Sequence, residues 1–240
     1  MKTLIAVVGA ATVVASADAG FLGFVASARN VGANTVIDIF AGVSNASDNF
    51  LNVYDLTSNG VYVQRAGLAT KTWKPDAAGF TSTRNTSDDS FMTAGTFSGG
   101  AYGGEYFAST NTNGDPNFTG TSWNATPASA AATTIPALAG WYTGDPTSVD
   151  NNAESLAGLV GRVNAVGTAS SANFGIWCAH LVLAGNNKVI GDNFTFSAFA
   201  SIKDGVTGQT TQGGSSFAVP APGALALLGI AGFASRRRRA

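Results

Sequence analysis

The sequence predicts an all-β fold, an antiparallel β-sandwich or jelly-roll-like domain, and three observations lead to this class. Only 11% of the 240 residues are charged and 30 are glycine, a composition typical of strands joined by short neutral loops. The apolar segments either alternate with polar residues or run continuously with β-branched residues, and none keeps a helical period. They also follow one another without crossover helices, as the strands of antiparallel sheets do.

The first strands are predicted at Phe21–Ala28, Thr35–Gly42 and Asn49–Leu56, where β-branched and aromatic residues concentrate. The connection Asn45–Asp48 predicts a hairpin between the second and third of them, and Gly60–Gln64 predicts a further short strand. The third strand alternates, so a period of two would divide its side chains between two faces: Phe50, Asn52, Tyr54 and Leu56 on one, Leu51, Val53 and Asp55 on the other.

The middle of the chain, from 73 to 152, is rich in Gly, Asn, Thr and Pro and predicts loops around short strands. Strand signals return in the second half, at Leu156–Val166, Phe174–Ala184, Lys188–Ile190 and Asn193–Ile202. The turn sequence Gly185-Asn186-Asn187 predicts a hairpin between the second and third of these. The last segment alternates apolar residues with Thr195, Ser197 and Phe199, and a polar, Gly-rich stretch then predicts one more strand near Gln212–Val219.

The first 19 residues have the order of a secretory signal peptide, which would form a signal helix. Lys2 supplies the positive charge, and the 11 residues Leu4–Val14 form the apolar segment. Ala17 and Ala19 are small enough for the pocket of a signal peptidase, which predicts cleavage before Gly20. A second cleavage position ends at Ala17, and the alternative to a signal peptide is a short helix of the mature fold.

Residues 218–240 combine three features in a fixed order. Val219, Pro220, Ala221, Pro222 and Gly223 form an extended Pro-x-Pro segment, because proline breaks helices and strands. An uncharged apolar run follows, and as a helix from Pro222 to Ser235 it would span about 21 Å. That length is short of the hydrocarbon core of a bilayer, about 30 Å. A basic cluster ends the run and would stay on the cytoplasmic side: Arg236, Arg237, Arg238 and Arg239.

This tail resembles the PEP-CTERM sorting signal, in which a Pro-x-Pro motif precedes a hydrophobic helix and a basic cluster. The resemblance implies cleavage near Pro220 and Pro222 by an exosortase-like membrane protease, transient membrane anchoring, and transfer to the cell surface or extracellular matrix. Ala221 stands where the name-giving motif has Glu, so the tail is similar to a planctomycete-like variant of the signal. The alternative is a plain C-terminal anchor without sorting.

The body also resembles a set of secreted planctomycete proteins that carry this tail. The resemblance rests on five segments, which imply the fold and export but no activity: Thr35–Gly42, Leu51–Tyr54, Trp73–Pro75, Asp89–Phe91 and Gly140–Tyr142.

The predicted organisation is therefore a signal peptide (1–19), one extracellular β-rich domain (20–217) and a sorting tail (218–240). Leaving out Asp18 and the five basic residues of the two ends, the body has eight basic and 13 acidic side chains, a net charge of −5. Because no basic cluster remains in it, binding to nucleic acid through phosphate neutralisation is not expected. The single cysteine, Cys178, excludes an internal disulfide.

Catalytic chemistry has few candidates in this chain. His180 is the only histidine, and Cys178, two residues before it in a predicted strand, would share its face. We interpret both residues as structural, because a thiol nucleophile needs its base at hydrogen-bond distance. The only glutamates are Glu105 and Glu154, which leaves little for the paired carboxylates of polysaccharide cleavage. We therefore predict no enzyme, no cofactor and no metal site.

The main functional hypothesis is an exported surface or matrix protein without catalytic activity. The alternative is a lectin-like, carbohydrate-binding module with an exopolysaccharide partner, and a third hypothesis is an envelope hydrolase. Four aromatics in or near predicted loops could stack on sugar rings, or could equally fill the core: Trp73, Trp123, Trp141 and Tyr142.

Overall fold

A computed structural model describes residues 20–65, 73, 87–95, 106–109, 133–143, 153–157, 159, 162–164, 172–185 and 194–219. Every regular secondary-structure element in these ranges is a β-strand, and each pairing between two of these strands is antiparallel. The predicted all-β class with antiparallel sheets is confirmed, and the two sheets are consistent with a β-sandwich. In this part of the chain no helix has the length and apolar character needed to cross a membrane.

Within the described ranges, eleven strands make up the two sheets. Their bounds are β1 Phe21–Val31, β2 Asn34–Val43, β3 Asn49–Ser58, β4 Phe91–Met92, β5 Tyr106–Ser109, β6 Ala139–Thr143, β7 Glu154–Ser155, β8 Arg162–Asn164, β9 Phe174–Ala184, β10 Phe194–Lys203 and β11 Thr210–Val219. The six-stranded sheet has the order β4-β9-β2-β1-β8, and β7 also pairs with β9. The five-stranded sheet has the order β11-β10-β3-β6-β5.

Among the connections that the structure describes, two hairpins join neighbours within a sheet. Strands β1 and β2 are connected by Gly32 and Ala33, and Gly32 has a φ of 60°, which glycine adopts without strain. Strands β10 and β11 pair along their whole length, from Phe194 with Val219 to Lys203 with Thr210. The last strand predicted near Gln212–Val219 is therefore present and begins two residues earlier.

The predicted hairpin between β2 and β3 is wrong, because the two strands belong to different sheets. From Thr35 to Val43 every residue of β2 is buried, and the strand pairs with β1 on one side and β9 on the other. Both of its hydrogen-bonding edges are thus occupied, so the Asn45–Asp48 connection must carry the chain across to the other sheet.

Two shorter predictions also need correction. Instead of one strand at Leu156–Val166, the structure has the short strands β7 and β8. Gly60–Gln64 makes only one isolated bridge, between Tyr62 and Leu183. The predicted strand Lys188–Ile190 lies outside the described residues, as do the last two residues of the turn before it.

Bulges overturn the simple alternation expected in β3. Its buried residues are Phe50, Val53 and Leu56, at intervals of three, because the pairing with β10 shifts register twice. Asp55, at the second irregularity, has a φ of 52°, a conformation that aspartate tolerates better than most residues. In β10 the predicted alternation is confirmed, since Phe194, Phe196 and Ala198 are buried and the residues between them are exposed.

The facing sides of the two sheets form one hydrophobic core, which includes Phe24, Phe50, Trp141 and Phe196. A second cluster covers the other side of the six-stranded sheet and contains Phe40, Phe91, Leu156 and Trp177 among others. The six-stranded sheet is therefore buried on both faces. The outer face of the five-stranded sheet keeps exposed residues along β10 and β11, and it is the face that a ligand could reach.

Candidate functional site

The exposed side of the five-stranded sheet has two aromatic rings stacked on each other. Phe199 is 41% exposed, and its ring centroid lies 5.5 Å from that of Tyr54, with 25° between the ring planes. The strand register explains the contact, since Phe199 on β10 pairs with Tyr54 on β3 and with Gly214 on β11. A Cβ atom at Gly214 would come within 2.7 Å of the Phe199 ring, so the ring covers a strip of bare backbone.

A third ring extends this surface across the sheet. Tyr142 is the only exposed residue that β6 has, at 40%, while its neighbour Trp141 points into the core. Tyr142 pairs with Asn52 of β3, and Asn52 pairs in turn with Ser201 of β10. We call Tyr54, Tyr142 and Phe199 the aromatic face.

Three polar side chains sit beside the aromatic face on β3 and β10. Asn49 pairs with Lys203 and Asn52 pairs with Ser201, so Asn49, Asn52 and Ser201 are neighbours; we call them the polar triplet. In the described structure the Oδ1 atoms of both asparagines and the Oγ atom of Ser201 are buried and have no hydrogen-bond partner. Each such atom typically costs about 1–3 kcal/mol, so three together are unusual in a folded domain.

Strands β10 and β11, which lie beside Tyr54 in the sheet, carry little charge. The outward positions of β10 and β11 are Thr, Ser, Gln, Gly and Phe, and Lys203 is their one charged residue. Exposed ring faces can stack on the apolar face of a sugar, and neutral amides and hydroxyls can pair with its hydroxyl groups. Such a surface suits a neutral ligand better than an anion.

A second polar cluster lies buried on the six-stranded sheet. The Nδ1 atom of His180 is 2.7 Å from Oδ1 of Asp38, and Arg29 donates from Nη1 to Oδ2 of Asp38 at 2.5 Å. The imidazole is fully buried and stacks on the Phe91 ring at 4.7 Å. A histidine held by a carboxylate can serve as a base only when a nucleophile lies within hydrogen-bond reach.

The thiol predicted to share the face of His180 is not there, which corrects the sequence-based expectation. The pairing of β9 with β2 shifts at Cys178, so Cys178 joins the core between the sheets while His180 lies on the opposite side. The thiol donates to the carbonyl oxygen of Ile39 at 3.2 Å, and burial raises its pKa. Cys178 is therefore an inert core residue, as the structural interpretation predicted.

One more acidic group is buried near this cluster. Oδ1 of Asp89 accepts the backbone N–H of Arg65 at 2.9 Å. Burial raises the pKa of Asp89 to about 7, although that hydrogen bond and the charges of Arg65 and His180 partly offset the rise. Among the described residues, no three His, Cys, Asp or Glu side chains are grouped so that they could hold a metal ion.

The four aromatic residues that the sequence predicts as possible sugar-binding residues lie in different environments. Trp73 and Trp141 are 1% and 0% exposed, so they fill the core and cannot present a ring to a sugar. The indole N–H of Trp141 donates to the carbonyl oxygen of Thr93 at 3.2 Å, which satisfies its polar atom inside the core. Tyr142 is exposed, and Trp123 lies outside the described residues.

Sequence reasoning missed Tyr54 and Phe199 as site residues. A signal existed for Phe199, since it is the one large apolar residue at the exposed positions of an alternating strand. Tyr54 gave no such signal, because the bulges in β3 decide which way its side chain points.

Of the residues assigned to processing, only Gly20 and Val219 lie in the described part of the chain. Those outside it are Ala17, Ala19, Pro220, Ala221, Pro222, Gly223, Arg236, Arg237, Arg238 and Arg239. No protein-family model, curated protein or solved structure matches the chain. The function is therefore argued from the sequence signals and from the surface of the two sheets.

Proposed function

We propose that the chain is an exported protein of the cell surface or extracellular matrix, sorted through its C-terminal tail by an exosortase-type system. In this proposal a signal helix (1–19) and a hydrophobic tail helix flank a β-sandwich or jelly-roll-like domain. Signal peptidase removes the first, and the membrane protease acts at the Pro-x-Pro segment while the Arg cluster holds the tail in the membrane. The body itself has no catalytic role.

The observation that carries this proposal is the fit between the strands and the two processing signals. Strand β1 begins at Phe21, and the Phe21 N–H donates to the Thr211 hydroxyl at 3.3 Å. Gly20 packs so closely that a Cβ atom there would overlap the Thr211 side chain. At the other end, β11 runs to Val219, directly before Pro220, which has no N–H to extend the pairing. Cleavage at both predicted positions would thus leave both sheets whole.

The test is the mass of the chain recovered from the surface of an exosortase-bearing bacterium that expresses it in full. We expect an N-terminus at Gly20 and a C-terminus between Val219 and Gly223. The double substitution Pro220→Ala with Pro222→Ala should leave the tail uncleaved, and Pro136→Ala, a proline of the body, serves as the control. Surface protein that still carries Arg236–Arg239 would refute sorting.

A second candidate, a carbohydrate-binding module, is favoured by the aromatic face. Stacked rings on the outside of a sheet contribute little to the core and are well placed for a flat ligand. The envelope hydrolase has no comparable support, because Cys178 lies on the other side of the sheet from the Asp38 and His180 pair.

A further inference from the structure

We propose that the aromatic face and the polar triplet together form a binding site for a neutral polysaccharide chain. This inference deepens the carbohydrate-binding candidate and does not depend on sorting. It replaces the loop tryptophans, which are buried, with Tyr54, Tyr142 and Phe199 as the rings that contact the sugar.

The rings are held in place before any ligand arrives. Phe199 is fixed between Tyr54, on which it stacks, and the bare backbone at Gly214. Rings that the fold already holds in place lose less conformational entropy on binding. The exposed part of the Phe199 ring remains available for contact with a ligand.

The spacing of the rings fits a chain of sugars rather than a single one. Tyr142 of β6 pairs with Asn52 of β3, which pairs in turn with Ser201 of β10. Ser201 is the next residue after Phe199 on the same face of β10. Tyr142 is therefore two strands away from Phe199 and displaced by two residues along the strand direction. With strands about 4.8 Å apart and a rise of about 3.3 Å per residue, the backbone positions that carry the two rings are about 12 Å apart. Alternate sugars of an extended chain would rest on Tyr142 and on the Phe199 and Tyr54 pair, with one sugar between them.

The polar triplet supplies the hydrogen bonds between the two platforms. Asn52 and Ser201 lie in register on the line from Tyr142 to β10, and Oδ1 of Asn52 and Oγ of Ser201 are unpaired. These atoms are buried, so neighbouring side chains must move before a sugar hydroxyl can donate to the amide oxygen and accept from the serine. Ligand binding would then recover hydrogen bonds that the fold leaves unmade.

Charge restricts the class of polysaccharide. The body carries a net charge of −5, and Lys203 is the one charged residue at the outward positions of β10 and β11. An acidic polysaccharide would be repelled overall and would find no cationic cluster on this face. The ligand is therefore a neutral pyranose chain whose ring faces are free to stack.

The experiment measures binding of the mature secreted protein to soluble neutral glucans and mannans, with alginate as the acidic comparison. Phe199→Ala and Tyr142→Ala should each weaken binding roughly 3- to 10-fold. Val206→Ala, which shortens a 73% exposed apolar residue in the β10–β11 turn, is the matched control and should bind normally.

Ser201→Ala separates a binding role from a structural one. Removing a buried, unpaired hydroxyl should leave stability to urea unchanged or improved, whereas the proposal expects weaker binding. If Phe199→Ala fails to fold, Ser201→Ala and Tyr142→Ala decide the question.

Three results would overturn the proposal: no binding to any neutral polysaccharide, stronger binding to alginate, or equal binding by all variants. A dimer that Phe199→Ala dissociates would also overturn it, because the face would then be covered by a second copy. Terminal masses are measured separately, so failure of this site leaves the sorting proposal standing.

Discussion

Asp48 holds together two connections that belong to different parts of the chain, and its replacement by asparagine gives a sharp test. Its side chain is fully buried where the chain crosses between the sheets. Oδ2 accepts the Asn45 N–H at 3.0 Å and the Ser44 hydroxyl at 3.4 Å, and Oδ1 accepts the Gly205 N–H at 3.1 Å from the β10–β11 turn. Both oxygens therefore face donors.

The magnitude follows from this geometry. Asparagine has one oxygen and one NH₂ group, so Asp48→Asn must turn a donor toward at least one of these donors. That loss leaves a part-buried N–H or O–H without its acceptor, at up to about 1–3 kcal/mol, and the bonds that remain lose the strength that charge added. We expect the free energy of unfolding to fall by about 2–4 kcal/mol.

The assay is urea unfolding followed by tryptophan fluorescence, and Asp204→Asn is the matched control. In Asp204 one oxygen, Oδ1, accepts both the Val206 N–H and the Thr207 N–H at 2.7 Å, so the asparagine carbonyl can keep both bonds. The midpoint should move clearly less for Asp204→Asn than for Asp48→Asn. Equal shifts of the urea midpoint in the two variants would refute the inference that both oxygens of Asp48 accept hydrogen bonds. It would also be refuted if Asp48→Asn changed the free energy of unfolding by less than about 0.5 kcal/mol.

Other predictions concern buried groups and one tight turn. Since burial raises the pKa of Asp89 to about 7, the folded chain keeps a proton that the unfolded chain releases above pH 4. The contribution of Asp89 to stability should therefore be complete below pH 4 and should be lost, by up to about 4 kcal/mol, as pH rises through 7. Asp89→Asn should remove that contribution to the pH dependence in urea melts, and an unchanged pH dependence would contradict the assignment. Cys178 should react with an aromatic disulfide reagent only after denaturation, and fast labelling of the native protein would show that the thiol is reachable. A Cβ atom at Gly205 would overlap the carbonyl oxygen of Ser47, so Gly205→Ala should lower the melting temperature. Gly208→Ala is the comparison, because the space there is open and only the φ of 72° opposes a side chain, so its melting temperature should fall less. A larger fall for Gly208→Ala would contradict the contact with Ser47.

Much of the fold was predictable because strand signals are local. Strands β1, β2, β3, β9 and β10 lie where β-branched and aromatic residues concentrate, and the alternation in β10 gives its exposed side correctly. The pairing of β2 with β3 was predicted wrongly because the short Asn45–Asp48 connection resembles a hairpin. The buried Asp48 of this connection instead accepts a hydrogen bond from Gly205, in the turn between β10 and β11.

The candidate site was harder to predict for the same physical reason. The sequence favours Tyr142 and its neighbour Trp141 equally as candidates, although their side chains point to opposite faces of β6. Which of two neighbours is exposed depends on the face that the opposite sheet covers. The contact of Tyr54 with Phe199 further requires two bulges and a pairing between distant strands.

By itself, the sequence determined the all-β class and the location of the long strands, because the period of apolar residues follows from backbone geometry at each position. It also carries the export and sorting signals as predictions, since short motifs at the ends are read without a folded partner. Only the tertiary structure decided which strands share a sheet, which tryptophans are buried and which rings meet on the outer face. Those outcomes depend on packing between segments far apart in the chain, where a one-residue bulge moves a side chain from one face of a sheet to the other.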